Sequence, residues 1–138
     1  MDQLYSSCIK RLAPETLRNW IAEERDDIAV IDVRDSDYKY GKIPISIHIP
    51  SKGFGEDSIQ NQLLSKYPLG DTSVYIFHCM RSQQRGPSSA RKFLRYLLLK
   101  TECKDDLHKL PKVYILDGGL KKWNQVYGAD PELMVGIE

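Results

Sequence analysis

Cys79 and Arg85 stand with five residues between them in the stretch VYIFHCMRSQQRGP, residues 74–87. A cysteine is a nucleophile as its thiolate, which nearby positive charge and helix N-termini favour. An arginine presents a planar fork that grips two oxygens of a tetrahedral anion. The residues between them, Met80, Arg81, Ser82, Gln83 and Gln84, form a loop whose backbone N–H groups can converge on an oxyanion. Cys79 follows an apolar run, and an amphipathic helical pattern follows Pro87. The unpaired N–H groups and dipole of such a helix start favour a thiolate and an anion alike. Gly86 and Pro87 suit a sharp loop-to-helix junction, since proline fits the first helical turn. Spacing alone is a weak signal. Its strand–loop–helix setting is what predicts a nucleophile, Cys79, and an anion clamp, Arg85, around a loop running from 80 to 85.

The elements that must position this loop are also legible. Residues 28–33 (IAVIDV) form a β-branched apolar run of the kind found in buried strands, and 73–77 and 112–116 repeat it. A shorter extended piece, 45–49, ends at Pro50. Helical patterns cover 14–24, 58–67, 88–100 and 120–127. In the third, Ala90, Phe93, Leu94, Leu97 and Leu98 fall on one face. Strands alternating with helices predict a single α/β domain, with a central, mostly parallel sheet and helices on both faces. Residues 101–110 are polar and predict a surface connection, and 129–138 predict a loosely held tail.

Composition narrows the function classes. A formal net charge of +1 gives no reason to expect nucleic acid or a membrane as partner. The apolar runs are too short to span a bilayer, and the start MDQLYSSCIKRL lacks the pattern of a secretory signal. Cys8, Cys79 and Cys103 are odd in number and form no metal-ligand spacing with His48, His78 or His108. Free thiols point to the cytoplasm, with the nucleus also open to such a protein. No feature of the sequence sets an oligomeric state.

HCMRSQQRGP resembles the HC-x5-R signature of cysteine-dependent phosphatases, in the version carried by the cell-division-cycle dual-specificity type. The small fungal group of arsenate reductase and companion phosphatase is the nearest in likeness. IDVRDSDYKYGKI (31–43) and VYILDGGLKKW (113–123) are similar to two further segments of that family and point to its rhodanese-like fold. The resemblance spans about residues 12–128 within a single domain of 1–138. It implies hydrolysis of phosphate monoesters, of phosphotyrosine or small aryl type, through a cysteinyl-phosphate at Cys79. No metal or other cofactor is implied. The substrate would be a phosphorylated protein or a small phosphate ester. The alternative is arsenate as substrate, with glutathione and glutaredoxin as reductant. Sulfurtransferases of this fold typically carry a loop one residue shorter, sized for a persulfide sulfur, so the five residues here favour an oxyanion. A noncatalytic rhodanese module fits less well, because Cys79 and Arg85 are both present.

The residue types themselves read as supporting parts. Asp32 and Arg34 are expected to tie strand ends and loops together, and His78 to fix the cysteine loop by hydrogen bonds. Gly118 and Gly119 are expected to turn the chain into the last helix, Trp123 to anchor it, and Cys8 and Cys103 to be unreactive. Arg81 is expected either to draw acidic substrates or to project into water. Two positions depart from the family. Gln84 stands where a relative has a glutamate considered as proton donor, leaving Asp35, Asp37 and Asp117 as candidate acids. Val33 replaces a second cysteine, so a protective disulfide with Cys79 is not expected.

Overall fold

Apolar side chains in the predicted strands alternate between two destinations, as the period of two in an extended chain requires. The computed structural model describes residues 7–104 and 106–137. In it β1 (Ile9–Leu12), β2 (Ile28–Asp32), β3 (Ile47–His48), β4 (Val74–His78) and β5 (Lys112–Leu116) form one sheet in the order β1-β5-β4-β2-β3. Every pairing is parallel, so the sheet is wholly parallel. Ala29, Ile31, Tyr75, Phe77, Val113 and Ile115 face one core cluster, while Ile28, Val30, Val74, Ile76 and Leu116 face the other.

Each face is covered by helices, as expected for a parallel sheet. Helix α1 (Pro14–Ala22) brings Leu17 to the second cluster, with Pro14 opening its first turn. Beyond β3 the chain runs through α2 (Glu56–Ser58), a wider π-type stretch (Ile59–Leu63) and α3 (Leu64–Lys66). Ile59 and Leu63 enter the first cluster there. The long α4 (Arg85–Lys100) adds Ala90, Phe93, Leu94, Leu97 and Leu98 to the same cluster. Helix α5 (Gly119–Tyr127) returns to the second face with Leu120 and Trp123. No helix among the described residues is long and apolar enough to cross a membrane.

Four expectations need correction. β1 was not anticipated: IKRL is too short and too basic to show an apolar run, and it forms because β5 offers an open edge. Helix α4 begins at Arg85 rather than 88, since a proline third in the first turn needs no intrahelical N–H partner. The 101–110 connection is not wholly on the surface. Cys103 is buried in the first core cluster, and its thiol donates to the Lys109 carbonyl at 3.3 Å. The stretch after 128 is not loose through residue 137. Trp123 Nε1 donates to the Leu133 carbonyl at 2.9 Å, Leu133 is buried, and Lys42 and Val135 exchange backbone hydrogen bonds of 2.9 and 3.0 Å.

Gly118 and Gly119 both have positive φ, 77° and 62°. A Cβ on Gly118 would lie 2.6 Å from Lys122 Cβ and Cδ, whereas one on Gly119 would meet backbone, 2.5 Å from the Met80 carbonyl oxygen and 2.8 Å from the Arg81 carbonyl carbon. Gly119→Ala is therefore expected to be the more destabilising change. Left-handed strain costs about 1–2 kcal/mol at either site, and the backbone clash adds to it at Gly119 alone. Urea denaturation of the two variants checks the order, and equal midpoints would contradict it.

Candidate active site

β4 is the central strand, and Cys79 follows directly at its carboxyl end, the edge of an open α/β sheet where ligands bind. Cys79 is buried at 3 % exposure. The loop after it curls tightly enough for the Ser82 backbone N–H to point back at the Cys79 sulfur, 3.2 Å away, with Ser82 at a φ of 57°. Cys79, Met80, Arg81, Gln83, Gln84 and Arg85 line a shallow cavity of about 260 Å³. Among the described residues, the N–H groups of Met80, Arg81, Gln83 and Gln84 donate to no protein acceptor. Arg81 is exposed, as are Gln83 and Gln84, and Gln84 occupies the N-cap of α4 without a side-chain capping bond.

The loop is braced from outside. The first N–H groups of α5 lack intrahelical partners, and two of them fasten the loop: Leu120 donates to the Cys79 carbonyl at 3.0 Å and Lys121 to the Met80 carbonyl at 2.8 Å. This is what the close approach of Gly119 makes possible. Arg11, on the unanticipated β1, donates to the Ser82 carbonyl at 3.0 Å and to Asp117 at 3.2 Å. Asp117 also faces Lys122 at 3.8 Å. It is thus occupied away from the cavity, and no signal in the sequence linked residues 11, 82 and 117.

His78 lies in register with Asp32 across β2 and β4 and is fully buried. Its Nδ1 donates to the Cys79 carbonyl at 3.1 Å, while its Nε2 lies 3.8 Å from Asp32 Oδ2 without a hydrogen bond. Burial pushes the imidazole below its ordinary pKa, against the pull of Asp32. The ring's bond is to backbone.

Asp32 and Arg34 make a fully buried ion pair, with Arg34 Nε 3.0 Å from both carboxylate oxygens and Nη2 2.8 Å from Oδ2. The remaining guanidinium hydrogens hold the chain that follows: Nη2 donates to the Gly41 carbonyl at 2.7 Å, and Nη1 to the Lys39 and Asp37 carbonyls at 3.3 and 3.4 Å. Arg34 thereby folds residues 35–41 into a loop at the end of β2, beside the cavity. Tyr38 stacks on His48 there, ring centres 3.6 Å apart, and His48 Nε2 donates to the Arg34 carbonyl.

That loop changes the expected position of Arg85. Its fork is held by carboxylates of that loop. Nη1 and Nη2 each donate to one oxygen of Asp37 at 2.6 Å, and Nη1 lies 3.4 Å from Asp35. A carboxylate matches the guanidinium fork in two parallel bonds, and Arg34 has fixed one within reach. The Arg85 hydrogen bond holds the Asp37 carboxyl down at about 2. Burial raises Asp35, but Ser51, Lys52 and Arg85 together bring it below the usual carboxylate range. Arg85 itself is raised, first by Asp37. Of the three candidate acids, the fold brings Asp35 and Asp37 to the site and leaves Asp117 outside. Val33 is fully buried, its N–H continuing the ladder to the His78 carbonyl at 2.8 Å. Cys8, Cys79 and Cys103 are free thiols, and no group of side chains suited to a metal ion occurs among the described residues.

Comparison with known proteins agrees with this architecture. The model of the Rhodanese-like domain matches residues 13–126. The chain is 36% identical to the dual specificity phosphatase ibp1 of Schizosaccharomyces pombe, over 93% of this chain and 97% of that one. Among solved structures it resembles Ygr203w, a yeast protein tyrosine phosphatase of the rhodanese family, with 33% identity and a TM-score of 0.73, over 94% of each chain. It also resembles the As-Sb reductase from Leishmania major, with 30% identity and a TM-score of 0.74, over 91% of this chain and 84% of that one. With a matched domain, a parallel five-stranded sheet and a cysteine loop at its centre, the chain belongs to the rhodanese-like domain family.

Proposed function

We propose that the protein is a cysteine-dependent phosphatase acting on phosphate monoesters, of phosphotyrosine or small aryl type. The observation that carries this reading is the curled five-residue loop. It places the Cys79 sulfur at the floor of a cavity lined by residues 79–85, with backbone N–H groups unclaimed by protein acceptors. A volume near 260 Å³ admits a tetrahedral oxyanion. The Cys79 thiolate attacks phosphorus in line with the leaving oxygen and forms a cysteinyl-phosphate, which water then cleaves. Loop N–H groups and Arg85 stabilise the charge on the equatorial oxygens, which is where such an enzyme lowers its barrier. His78, Asp32 and Arg34 position the loop and do not touch the reacting atoms.

Arsenate reduction is the second reading, favoured by the likeness to the Leishmania reductase. Arsenate matches phosphate in shape and charge and would occupy the same cradle, with glutathione and glutaredoxin as the reductant. Three free thiols fit a reducing compartment, the cytoplasm or nucleus.

Parallel assays test these readings: an aryl phosphate, arsenate with glutathione and glutaredoxin, and thiosulfate with cyanide. Turnover of the aryl phosphate is expected. Turnover of thiosulfate alone would overturn the argument from loop length. Cys79→Ser is expected to abolish turnover while still binding tungstate in calorimetry, so substantial residual hydrolysis in that variant would refute the nucleophile. Arg85→Ala is expected to lower kcat by about 10²–10³-fold and to weaken tungstate as well, because a forked contact acts on ground and transition states together. A rate within a few-fold of wild type would remove Arg85 from the mechanism.

A further inference from the structure

The cysteine loop carries no carboxyl group between residues 80 and 84, yet expelling an alkoxide or phenoxide at neutral pH needs a proton. Asp117 is engaged by Arg11 and Lys122. The two remaining carboxylates differ in what holds them. Asp35 accepts from the Ser51 hydroxyl at 2.5 Å and the Lys52 N–H at 3.0 Å, and its side chain is 12% exposed. Those bonds persist wherever Arg85 points. Asp37 has both its short contacts, 2.6 Å each, with Arg85, and its side chain is 36% exposed. Its other carboxylate partner is the Asp35 N–H at 3.0 Å.

The Nη1–Nη2 edge of Arg85 that Asp37 occupies cannot give its two parallel bonds to a carboxylate and to a phosphoryl group at once. Arg85 lines the cavity with Cys79, so an oxyanion bound there through that edge competes with Asp37 for it. When the anion wins, Asp37 loses the cation that kept it ionised and gains a dianion as neighbour. Both changes favour the protonated carboxyl. The charged groups near it are then the dianion with Arg85 on α4, and Asp35 on its own loop. Arg34 is saturated by Asp32 and backbone carbonyls.

Resting on the phosphatase reading, we propose that Asp37 is the leaving-group acid, kept ionised and idle by Arg85 until a substrate oxyanion takes the arginine over. In the first step the S–P bond forms as the P–O bond to the leaving group breaks, and the Asp37 proton passes to that oxygen. The alcohol or phenol departs and leaves Asp37 as carboxylate. In the second step water attacks phosphorus, its proton returns to Asp37, and the S–P bond breaks to restore the thiolate and release phosphate. The low pKa of Asp37 in the resting pair belongs to the idle state. Protonation follows substrate binding.

The test is the dependence of rate on leaving group in the full chain. Wild type and Asp37→Asn, which is isosteric, are compared on 4-nitrophenyl phosphate, whose phenolate leaves unaided, and on phenyl phosphate, whose phenolate needs a proton. The expected loss in kcat/KM is less than about 10-fold on the first and about 10²–10⁴-fold on the second. Tungstate inhibition is expected to tighten in Asp37→Asn, because the fork is released to the anion. Equal losses on the two esters, or steepening in Asp35→Asn instead, overturn the assignment. Unchanged or weaker tungstate inhibition overturns the competition for Arg85. A wild type that hydrolyses neither ester overturns the phosphatase reading and this assignment with it, whereas an active wild type isolates the failure to Asp37.

Discussion

A charge pair with no access to water organises this site. Asp32 and Arg34 are both fully buried, and stripping two ions of solvent costs several kcal/mol each unless every donor and acceptor finds a partner. Here they do: the carboxylate takes three guanidinium contacts and the Arg34 N–H, and the other guanidinium hydrogens go to backbone carbonyls of 37, 39 and 41. An apolar pair of similar volume would fill the space but would leave three carbonyls without donors and the 35–41 loop without a fold. The pair therefore does more for placement than for stability. It sets where Asp35 and Asp37 face, and with them where Arg85 rests.

The cysteine loop shows the complementary strategy, in which backbone rather than side chains supplies the contacts. α5 aims two otherwise unpaired N–H groups at the Cys79 and Met80 carbonyls, and His78 adds a second donor at the Cys79 carbonyl. Turning those carbonyls outward, toward helix and histidine, leaves the N–H sides of the same peptides available on the cavity side. These contacts hold the Cys79 thiol in a geometry a free loop could not maintain.

The residues that were legible in the sequence are those whose signal is local. β2, β4 and β5 show apolar β-branched runs, α4 shows a full amphipathic period, and Cys79 and Arg85 belong to one continuous strand–loop–helix segment. What escaped depends on contacts between distant parts. β1 is a strand only against β5, residues 129–137 are ordered by Trp123 and Lys42, and the partner of Arg85 lies on a loop that Arg34 must first shape. The Asp35 and Asp37 carboxylates could be named from the sequence as candidates. That one of them would pair with Arg85 could not, because a forked ion pair is set by angles between two loops rather than by spacing along either.

The pairing of β1 with β5 bears on how the protein becomes active during its own synthesis. β1 joins the sheet only beside β5, and parallel, non-local pairing is slow to form. Arg11 reaches Ser82 from that edge, and Leu120 and Lys121 reach Cys79 and Met80 from the helix that follows β5 beside β4. A nascent chain that has made the cysteine, the arginine and α4 still lacks every brace supplied by β1 and α5. Assembly order thus keeps the thiol's surroundings incomplete until the sequence that secures them has been translated.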